Sequence, residues 1–388
     1  MPDLKSVVKE CALELGFDLV RVTSAQEFAW DREVTLARLK DGLMDGLPWF
    51  NEDRVRRGAD PESLLPGARS IICLGLSYHQ PTGQVLDPGV PAGKVALYAW
   101  GNDYHRVMKS RMRQYVEELS GRLGVDIAAR WYVDDGPMLD RAAAQRSGLG
   151  WFGKNTNILT SSHGSWVFLG QVITDLDLEP DTPLRKTCGS CMMCIDACPT
   201  GAIVAPYVID NSRCISYLTI ENRGPIPREL RPQMLDWVFG CDICQDVCPV
   251  NRKALTSKEP AFREPAFRQH AHGSLELVEL LEMSEDEFRE RFKGSPILRA
   301  KHTGLQRNAC VALGNHGDAA TVPALNRALC QGAMLVRGHA AWALGRIGTV
   351  EAKADLESAR DLELDAEVLE EISAALAELV TSAAVSLE

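Results

Sequence analysis

Eight of the twelve cysteines fall between Cys188 and Cys248, at spacings that suit iron–sulfur chemistry. Residues 188–199 follow the pattern C-x2-C-x2-C-x3-C-P, in which three thiolates bind one [4Fe-4S] cluster and the fourth cysteine reaches a second cluster. Residues 241–249 follow C-x2-C-x3-C-P and lack one central cysteine, which Cys214 replaces. Two complete ligand sets result: Cys188, Cys191, Cys194 and Cys248 for one cluster, and Cys198, Cys214, Cys241 and Cys244 for the other.

Zinc and disulfides are the alternatives for these cysteines. Zinc sites favour separated CxxC pairs, and disulfides are rare in a reducing cytosol. Two [4Fe-4S] clusters fit the spacing better, and because clusters move single electrons, a further reaction must use those electrons. The other four cysteines lie in apolar patterns and are expected in the core: Cys11, Cys73, Cys310 and Cys330.

Asp134 is a second candidate for chemistry, because it follows a predicted strand and precedes a predicted helix. The sequence Asp134-Asp135-Gly136-Pro137 suits an ordinary helix N-cap. Two adjacent acids exceed what a cap needs, and a carboxyl desolvated at a strand end has a raised pKa and holds a proton to deliver. Position alone leaves both interpretations open.

Two cofactor motifs match only in part. Residues 148–155 approach a P-loop, but Asn155 stands where a magnesium-binding Ser or Thr is needed, and a polar helix precedes the glycines. Residues 103–108 lack the glycine of DxHxxG, a loop that places a histidine under the cobalt of some cobalamin enzymes, because Met108 occupies that position. His105 alone is more often a structural histidine, so neither motif supports a site.

The elements that must position these residues are strands and helices in the first half of the chain. Residues 68–78 and 166–174 are apolar, β-branched runs typical of buried strands, and residues 127–133 have a shorter strand pattern. Residues 104–123 form an amphipathic helical pattern that Gly124 closes.

The chain divides into three predicted domains, at residues 1–178, 179–255 and 256–388. In the last, residues 306–314 align with residues 337–345 as Ala-rich helices ended by glycine, at a spacing of 31, which is typical of stacked helical repeats such as HEAT. We therefore predict an α+β protein with an N-terminal mixed α/β module, a ferredoxin-like two-[4Fe-4S] domain, and a connector leading to C-terminal HEAT-like repeats with an acidic tail.

Composition and charge bound the remaining possibilities. The 388 residues are 24% charged and 45% hydrophobic, and no apolar run approaches the ~20 residues of a membrane span. Charged residues near the start replace an apolar signal core, so we expect a cytoplasmic protein. Net charge is −11, of which residues 351–388 carry −9 from eleven acidic and two basic residues. Residues 291–307 hold five basic and no acidic residues, which suits a solvated face or a polyanionic partner.

Several of these sequences together resemble the epoxyqueuosine reductase family. The resemblance spans roughly residues 5–348, including the C-terminal repeat, and is carried by Val133-Asp134 with PMLDR at 137–141, GWFGKNT at 150–156, GSWVFLG at 164–170, CGSCMMCIDACPTGA at 188–202, CISYLTIE at 214–221 and FGCDICQDVCP at 239–249. Asp140 is a departure, because the family usually has Glu before Arg141.

The resemblance implies a cobalamin-dependent iron–sulfur enzyme that reduces epoxyqueuosine to queuosine at wobble position 34 of the tRNAs for Asp, Asn, His and Tyr. An external donor such as ferredoxin or flavodoxin would pass electrons through two [4Fe-4S] clusters to base-off cobalamin. The N-terminal domain, related to reductive dehalogenases, would bind the cobalamin, and Asp134 would donate a proton. A monomer and no membrane association are expected.

The resemblance also implies binding residues. Candidate contacts with the corrin or its pocket are Arg57, Tyr98, Asp103, Asp134, Lys154, Asn155, Ile158, Leu169 and Ser216. With tRNA as substrate, the basic stretch becomes a set of candidate phosphate contacts: Arg291, Lys293, Arg299, Lys301 and Arg307.

Two other functions stay open. A reductive dehalogenase-like cobalamin enzyme acting on a small molecule needs no surface for a polyanion. A ferredoxin-type electron-transfer module on a helical scaffold needs iron alone, so cobalt content separates it from both enzymes.

Overall fold

A computed structural model describes residues 3–80, 89–263 and 273–385. Within these ranges the chain forms two compact units. The units are assembled from separated stretches: the first from residues 3–80, 101–212 and 242–263, the second from residues 89–100, 213–241 and 273–385. Helices and strands both occur, which confirms the α+β class. The three predicted domains do not coincide with these units, since each unit is discontinuous in sequence.

The elements of the described residues are numbered in chain order. The strands are β1 (Leu19–Ser24), β2 (Ser70–Ser77), β3 (Ala92–Val95), β4 (Ala129–Tyr132), β5 (Trp151–Phe152), β6 (Ile158–Leu159), β7 (Val167–Thr174), β8 (Trp237–Phe239) and β9 (Ser274–Glu276). The helices are α1 (Leu4–Glu14), α2 (Ala29–Lys40), α3 (Glu52–Ala59), α4 (Pro61–Leu64), α5 (Tyr104–Leu123), α6 (Asp140–Arg146), α7 (Met193–Asp196), α8 (Ile215–Ile220), α9 (Ile243–Asp246), α10 (Pro260–Arg263), α11 (Leu277–Glu282), α12 (Glu285–Arg291), α13 (His302–His316), α14 (Val322–Gln331), α15 (Met334–Ile347), α16 (Val350–Leu362) and α17 (Ala366–Val385). Short 3-10 turns are Leu97–Ala99, Asn211–Arg213, Arg228–Leu230, Pro232–Met234, Pro249–Lys253, Pro296–Ala300 and Ala319–Thr321.

The first unit is built on an antiparallel sheet in the order β1-β2-β7-β4. All eight residues of β2 are buried, as its uninterrupted apolar run predicts. The three consecutive alanines of α6, Ala142 to Ala144, pack into the same core as Cys73 of β2 and Ile173 of β7. This packing sets the position of the loop between β4 and α6, which contains Asp134.

Helix α5 carries residues of the site at its first turn. The Asp103 side chain accepts a hydrogen bond from the His105 amide and caps the helix, and Gly124 ends it with a φ of +67°. These ends confirm the helix predicted over residues 104–123. Its apolar face, which includes Met108 and Tyr115, is fully buried in the first unit.

The second unit combines a small sheet with the helical repeats. In the order β8-β3-β9, β3 runs parallel to β8 and antiparallel to β9. The segment that leads into β3, residues 80–93, is rich in Gly and Pro. Of that segment, residues 81–88 lie outside the described residues, and Ala92 and Gly93 form the start of the strand.

The repeat is confirmed, but its glycines do not end the helices as predicted. Helices α13, α15 and α17 pack in succession. A Cβ at Gly314 would lie 2.7 Å from the Trp342 ring, and a Cβ at Gly345 would lie 2.7 Å from the Ala375 Cβ. Both glycines therefore permit close helix packing, and the helices end three residues later at Gly317 and Gly348, with φ near +70°.

The cysteines outside the cluster runs follow the prediction with one exception. Cys11, Cys73 and Cys310 are fully buried. Cys330 is exposed, because it lies on the outer side of α14 next to the buried Leu329. Among the described residues, no helix combines the length and apolar character needed to cross a membrane.

Candidate active site

Asp134 lies in a tight turn directly after strand β4. The Asp135 amide donates to the Val133 carbonyl oxygen over 2.6 Å, and Asp134 between them has a φ of +45°. Non-glycine residues rarely adopt that backbone conformation, and residues that do so concentrate at functional sites. The Asp134 side chain is 58% exposed, so the desolvated carboxyl, one of the two interpretations that the sequence left open, is not present in this structure.

Two side chains from the first turn of α5 reach the Asp134 carboxylate. Tyr104 donates its hydroxyl to Oδ2, and His105 Nε2 lies 2.8 Å from Oδ1. The second ring nitrogen of His105, Nδ1, lies 2.7 Å from Asp103 Oδ1. His105 is thus held between two carboxylates, with both ring nitrogens engaged.

This arrangement keeps a proton on His105. Burial opposes the charged imidazolium, but hydrogen bonds to Asp103 and Asp134 outweigh burial and raise the pKa of His105 to about 9. Burial alone would raise the pKa of Asp103, yet the contact with His105 lowers it. At neutral pH the His105–Asp134 pair therefore carries a transferable proton. The sequence favoured a structural role for His105, and its partial DxHxxG match was the one signal that pointed to it.

Helix α3 supports the turn that carries Asp134. A Cβ at Gly58 would lie 1.7 Å from the Pro137 carbonyl oxygen, so the two backbones meet only because residue 58 is glycine. One turn earlier, Arg54 donates to the Gly136 carbonyl oxygen. A Cβ at Gly136 would lie 2.0 Å from the Tyr132 ring. These contacts fix the path of the turn.

Asp140 is a second acid near Asp134. Its Oδ1 atom is buried and has no hydrogen-bond partner among the described residues. Burial, with a smaller contribution from the charge of Asp134, raises the pKa of Asp140 to about 8. The Asp140 side chain is therefore largely protonated at neutral pH.

The first predicted cysteine set comes together within the first unit. Cys188 and Cys248 pack in one apolar cluster with Trp151. Burial raises the pKa of Cys194 and Cys248, and the neighbouring thiolates of Cys188 and Cys191 raise both further. Crowded thiolates repel one another unless a cation neutralises them, so this donor set fits a [4Fe-4S] cluster.

Disulfides and single-ion sites are the alternatives for these cysteines. No disulfide links any of the twelve cysteines, all of which lie in the described ranges. Nowhere in those ranges do three Cys, His, Asp or Glu side chains converge as the ligands of a single ion would. Of the second predicted set, Cys198 and Cys244 belong to the first unit, and Cys214 and Cys241 to the second. That set stays a prediction.

The turn between β5 and β6 holds both cysteine loops of the first unit. Lys154 is 8% exposed, and its Nζ donates to the Gly189 carbonyl oxygen over 2.7 Å, between the first two cysteines. Asn155 is also buried, and its Nδ2 donates to the Cys244 carbonyl oxygen over 3.2 Å. Both residues were predicted to contact the corrin or its pocket. In the structure, their side-chain nitrogens donate hydrogen bonds to the cysteine loops.

The remaining predicted corrin contacts are distributed over both units. In the first unit Arg57 is exposed at the end of α3, Asp103 is half-buried, Ile158 is buried in β6 and Leu169 is half-buried in β7. In the second unit Tyr98 is half-buried and packs on Phe239 with ring centroids 6.0 Å apart, and Ser216 is half-buried on α8.

The predicted tRNA contacts differ in accessibility. Lys293, Arg299 and Lys301 are exposed, although Arg299 pairs with Glu221. Arg291 is mostly buried and pairs with Glu279 over 2.7 Å.

Arg307 contradicts its predicted role. It is fully buried, and its guanidinium donates to the carbonyl oxygens of Leu218, Asn222 and Gly224. The guanidinium is used inside the second unit to hold backbone carbonyl groups, so Arg307 is not a phosphate contact.

Comparisons with known proteins agree with this arrangement. The family model described as "Epoxyqueuosine reductase QueG, DUF1730" matches residues 58–135. A "4Fe-4S double cluster binding domain" matches residues 187–251, and "HEAT repeats" match residues 295–377.

Individual relatives cover between 78% and 97% of the chain. Epoxyqueuosine reductase of Cellulophaga algicola is 41% identical over 78% of this chain and 95% of its own length. A crystal structure of epoxyqueuosine reductase with a tRNA-Tyr epoxyqueuosine-modified stem loop is 34% identical, with a TM-score of 0.90 over 97% of this chain and 98% of that one. The Bacillus subtilis enzyme, solved with its catalytic aspartate loop swung out of the active site, is 32% identical, with a TM-score of 0.88 over 97% and 98%. The resemblance found in the sequence is confirmed: this chain belongs to the epoxyqueuosine reductase family of oxidoreductases.

Proposed function

We propose that this protein reduces epoxyqueuosine to queuosine at wobble position 34 of tRNA. The observation that carries the proposal is the proton-holding His105–Asp134 pair, in the same unit as the first cysteine set. A relative solved with an epoxyqueuosine-modified stem loop supports RNA as the substrate.

The reaction removes the epoxide oxygen as water. Two C–O bonds break and one C=C bond forms, while two electrons and two protons are consumed. The His105–Asp134 pair supplies one proton: it moves between Nε2 and Oδ1 along the 2.8 Å contact, and the exposed Asp134 carboxyl presents it to the departing oxygen. Solvent supplies the second proton.

Tyr104 and Asp103 orient the pair. The Tyr104 hydroxyl fixes Oδ2 of Asp134, so Oδ1 faces His105. Asp103 holds Nδ1, which sets the ring orientation and favours the imidazolium. Proper orientation of an acid relative to a reacting atom contributes strongly to catalysis.

The electrons require groups that the cysteines and the first unit would bind. [4Fe-4S] clusters at the two cysteine sets would supply one-electron transfer, and base-off cobalamin would supply a strongly reducing, nucleophilic cobalt centre. Carboxylates engage both ring nitrogens of His105, so this histidine would serve the proton-holding pair and not the cofactor. Met108, at the position of the DxHxxG glycine, is fully buried. Our candidate corrin contacts stay those that the resemblance implies: Arg57, Asp103, Asp134, Lys154, Asn155, Ile158 and Leu169 in the first unit, and Tyr98 and Ser216 in the second.

The partners follow from the same proposal. Lys293, Arg299 and Lys301 are exposed cations that we assign to tRNA phosphates. A ferredoxin- or flavodoxin-type carrier would deliver the electrons. We place the protein in the cytoplasm, as a monomer.

Turnover of an epoxyqueuosine stem loop tests the proposal. Protein loaded with iron–sulfur clusters and cobalamin is incubated anaerobically with the RNA and a chemical reductant, and the nucleosides are analysed by mass spectrometry. We expect loss of one oxygen atom from the modified base. Asp134→Asn should lower turnover about 100-fold or more while iron content stays unchanged. The matched neighbour variant Asp135→Asn should remain within a few-fold of wild type.

Each alternative function predicts a different result. A small-molecule dehalogenase-like enzyme would bind cobalamin and leave the RNA unchanged. An electron-transfer module would retain iron without cobalamin. Either outcome would overturn the proposal.

A further inference from the structure

Beside the Asp134 turn, the structure presents an exposed tryptophan. The Trp49 side chain is 41% exposed, which is unusual for the largest aromatic residue. It lies in the segment between α2 and α3, where the Phe50 ring meets it edge-on at 5.8 Å and 88°. What distinguishes Trp49 from the more exposed Trp30 is its contact, through Arg54, with the turn that carries Asp134.

Arg54 connects Trp49 to the catalytic turn. The Arg54 guanidinium carbon lies over the Trp49 ring, 4.8 Å from its centroid. The same guanidinium donates to the Gly136 carbonyl oxygen, two residues after Asp134. Trp49, Arg54 and the proton-donating turn therefore form a continuous set of contacts within one unit.

The chemistry of this set suits an unpaired nucleobase. Proteins that bind single-stranded RNA splay bases out and stack them on aromatic rings or on guanidinium planes. Arg54 covers one face of the Trp49 indole and adds positive charge. The remaining exposed surface of the ring is available to a second flat group.

We propose that Trp49, backed by Arg54, stacks against an anticodon-loop base that flanks the modified nucleotide. The inference rests on the proposed function, since it takes the RNA loop as substrate. In this role Trp49 is a positioning residue: it orients the loop so that the epoxide meets the Asp134 carboxyl. Stacking tolerates any base, so Trp49 contributes affinity and position more than sequence choice.

Binding measurements with an unmodified anticodon stem loop test the proposal apart from catalysis. Fluorescence anisotropy of a labelled stem loop gives Kd at several salt concentrations for the cluster-loaded protein. We expect Trp49→Ala to weaken binding about 5- to 150-fold, and Trp49→Phe to restore most of the loss. The salt slope should stay unchanged, because stacking releases no counterions. Lys301→Ala, by contrast, should reduce the slope.

A matched control and a second readout separate stacking from a merely structural role. Trp30 on α2 is 78% exposed in the same unit, and Trp30→Ala should leave Kd unchanged. Cobalamin affinity and the iron content of Trp49→Ala should equal those of wild type.

Three outcomes would overturn the proposal. Equal stem-loop affinity in Trp49→Ala and wild type would exclude stacking. A selective loss of cobalamin affinity would assign Trp49 to the cofactor, and a loss of iron would assign it to folding. Failure of the wild-type protein to bind the stem loop would also overturn the stacking proposal, and turnover of the epoxyqueuosine stem loop would then decide the proposed function separately.

Discussion

The proton shared by His105 and Asp134 determines how the site responds to pH. A histidine between two carboxylates retains its proton well above neutrality, and the pKa of His105 is raised to about 9. Below about pH 9, His105 is protonated and the pair can donate a proton. As the pH rises through about 9, His105 loses that proton.

Activity should therefore fall on the alkaline side. We expect kcat for epoxyqueuosine reduction to decline as pH rises through about 9, and His105→Asn to lower kcat roughly 100-fold or more. Asp103→Asn removes a carboxylate that raises the pKa of His105, so its alkaline limb should move to lower pH. Rate profiles of the three proteins check this, and an unshifted limb in Asp103→Asn would contradict the assignment.

The buried carboxyl of Asp140 makes the stability of the fold depend on pH. The folded state raises the pKa of this carboxyl to about 8, with Asp134, Asp135 and Arg141 as the nearby charges, whereas the unfolded chain ionises near 3.8. Since the folded protein holds the proton more tightly, stability due to this group is full below about pH 4 and is lost as pH rises towards 8. Asp140→Asn should stabilise the protein by more than about 1 kcal/mol at pH 8 and little at pH 4. Denaturant unfolding at the two pH values measures the difference, and equal effects at both would refute it.

At the residue scale, spacing singled out the cysteines as cluster ligands, because ligand spacing is local in the chain. Asp134 was singled out by its place after a predicted strand and by the family resemblance. The role of His105 was not predicted, because its partner Asp134 is 29 residues away in sequence and only folding brings the two together. Arg307 was misassigned because a run of basic residues does not reveal which side chain points into the core.

Among the elements, the turn between β5 and β6 connects the folded core to the loops that carry the cluster cysteines. Its two buried side chains hold the backbone of both cysteine loops in the first unit. Losing a buried donor to such a loop costs about 1–3 kcal/mol.

Lys154→Met should therefore weaken the cluster next to Gly189. We expect iron content to fall from about eight towards four atoms per chain, with a reduced visible absorbance. Lys186→Met is the matched control, since Lys186 is an exposed lysine near the same loop that donates to Ser161 over 3.0 Å. Full iron retention in Lys154→Met would show that the contact is dispensable.

Element types were largely predictable, and their ends less so. The buried strands β2 and β7 and helix α5 follow from periodicity and capping. The repeat glycines were misjudged because glycine both ends helices and admits a close neighbour, and only the packing partner, such as Trp342 against Gly314, decides which role applies.

For the whole molecule, the α+β class and the HEAT-like repeat were accessible from composition and internal similarity. The division into two discontinuous units was not, because it depends on contacts between segments far apart in sequence. The acidic C-terminal region, which accounts for most of the net charge, continues the helical unit as α16 and α17.

We propose that this one chain combines electrons from the clusters, cobalamin and a proton from a carboxyl group to reduce an RNA substrate. Single-turnover reduction of an epoxyqueuosine stem loop, with cluster-loaded protein in the presence or absence of cobalamin, tests it most directly. We predict that queuosine forms when clusters and cobalamin are both present and that omitting cobalamin abolishes product. Product formed without cobalamin, or RNA that stays unchanged while bound to the fully loaded protein, would contradict the claim.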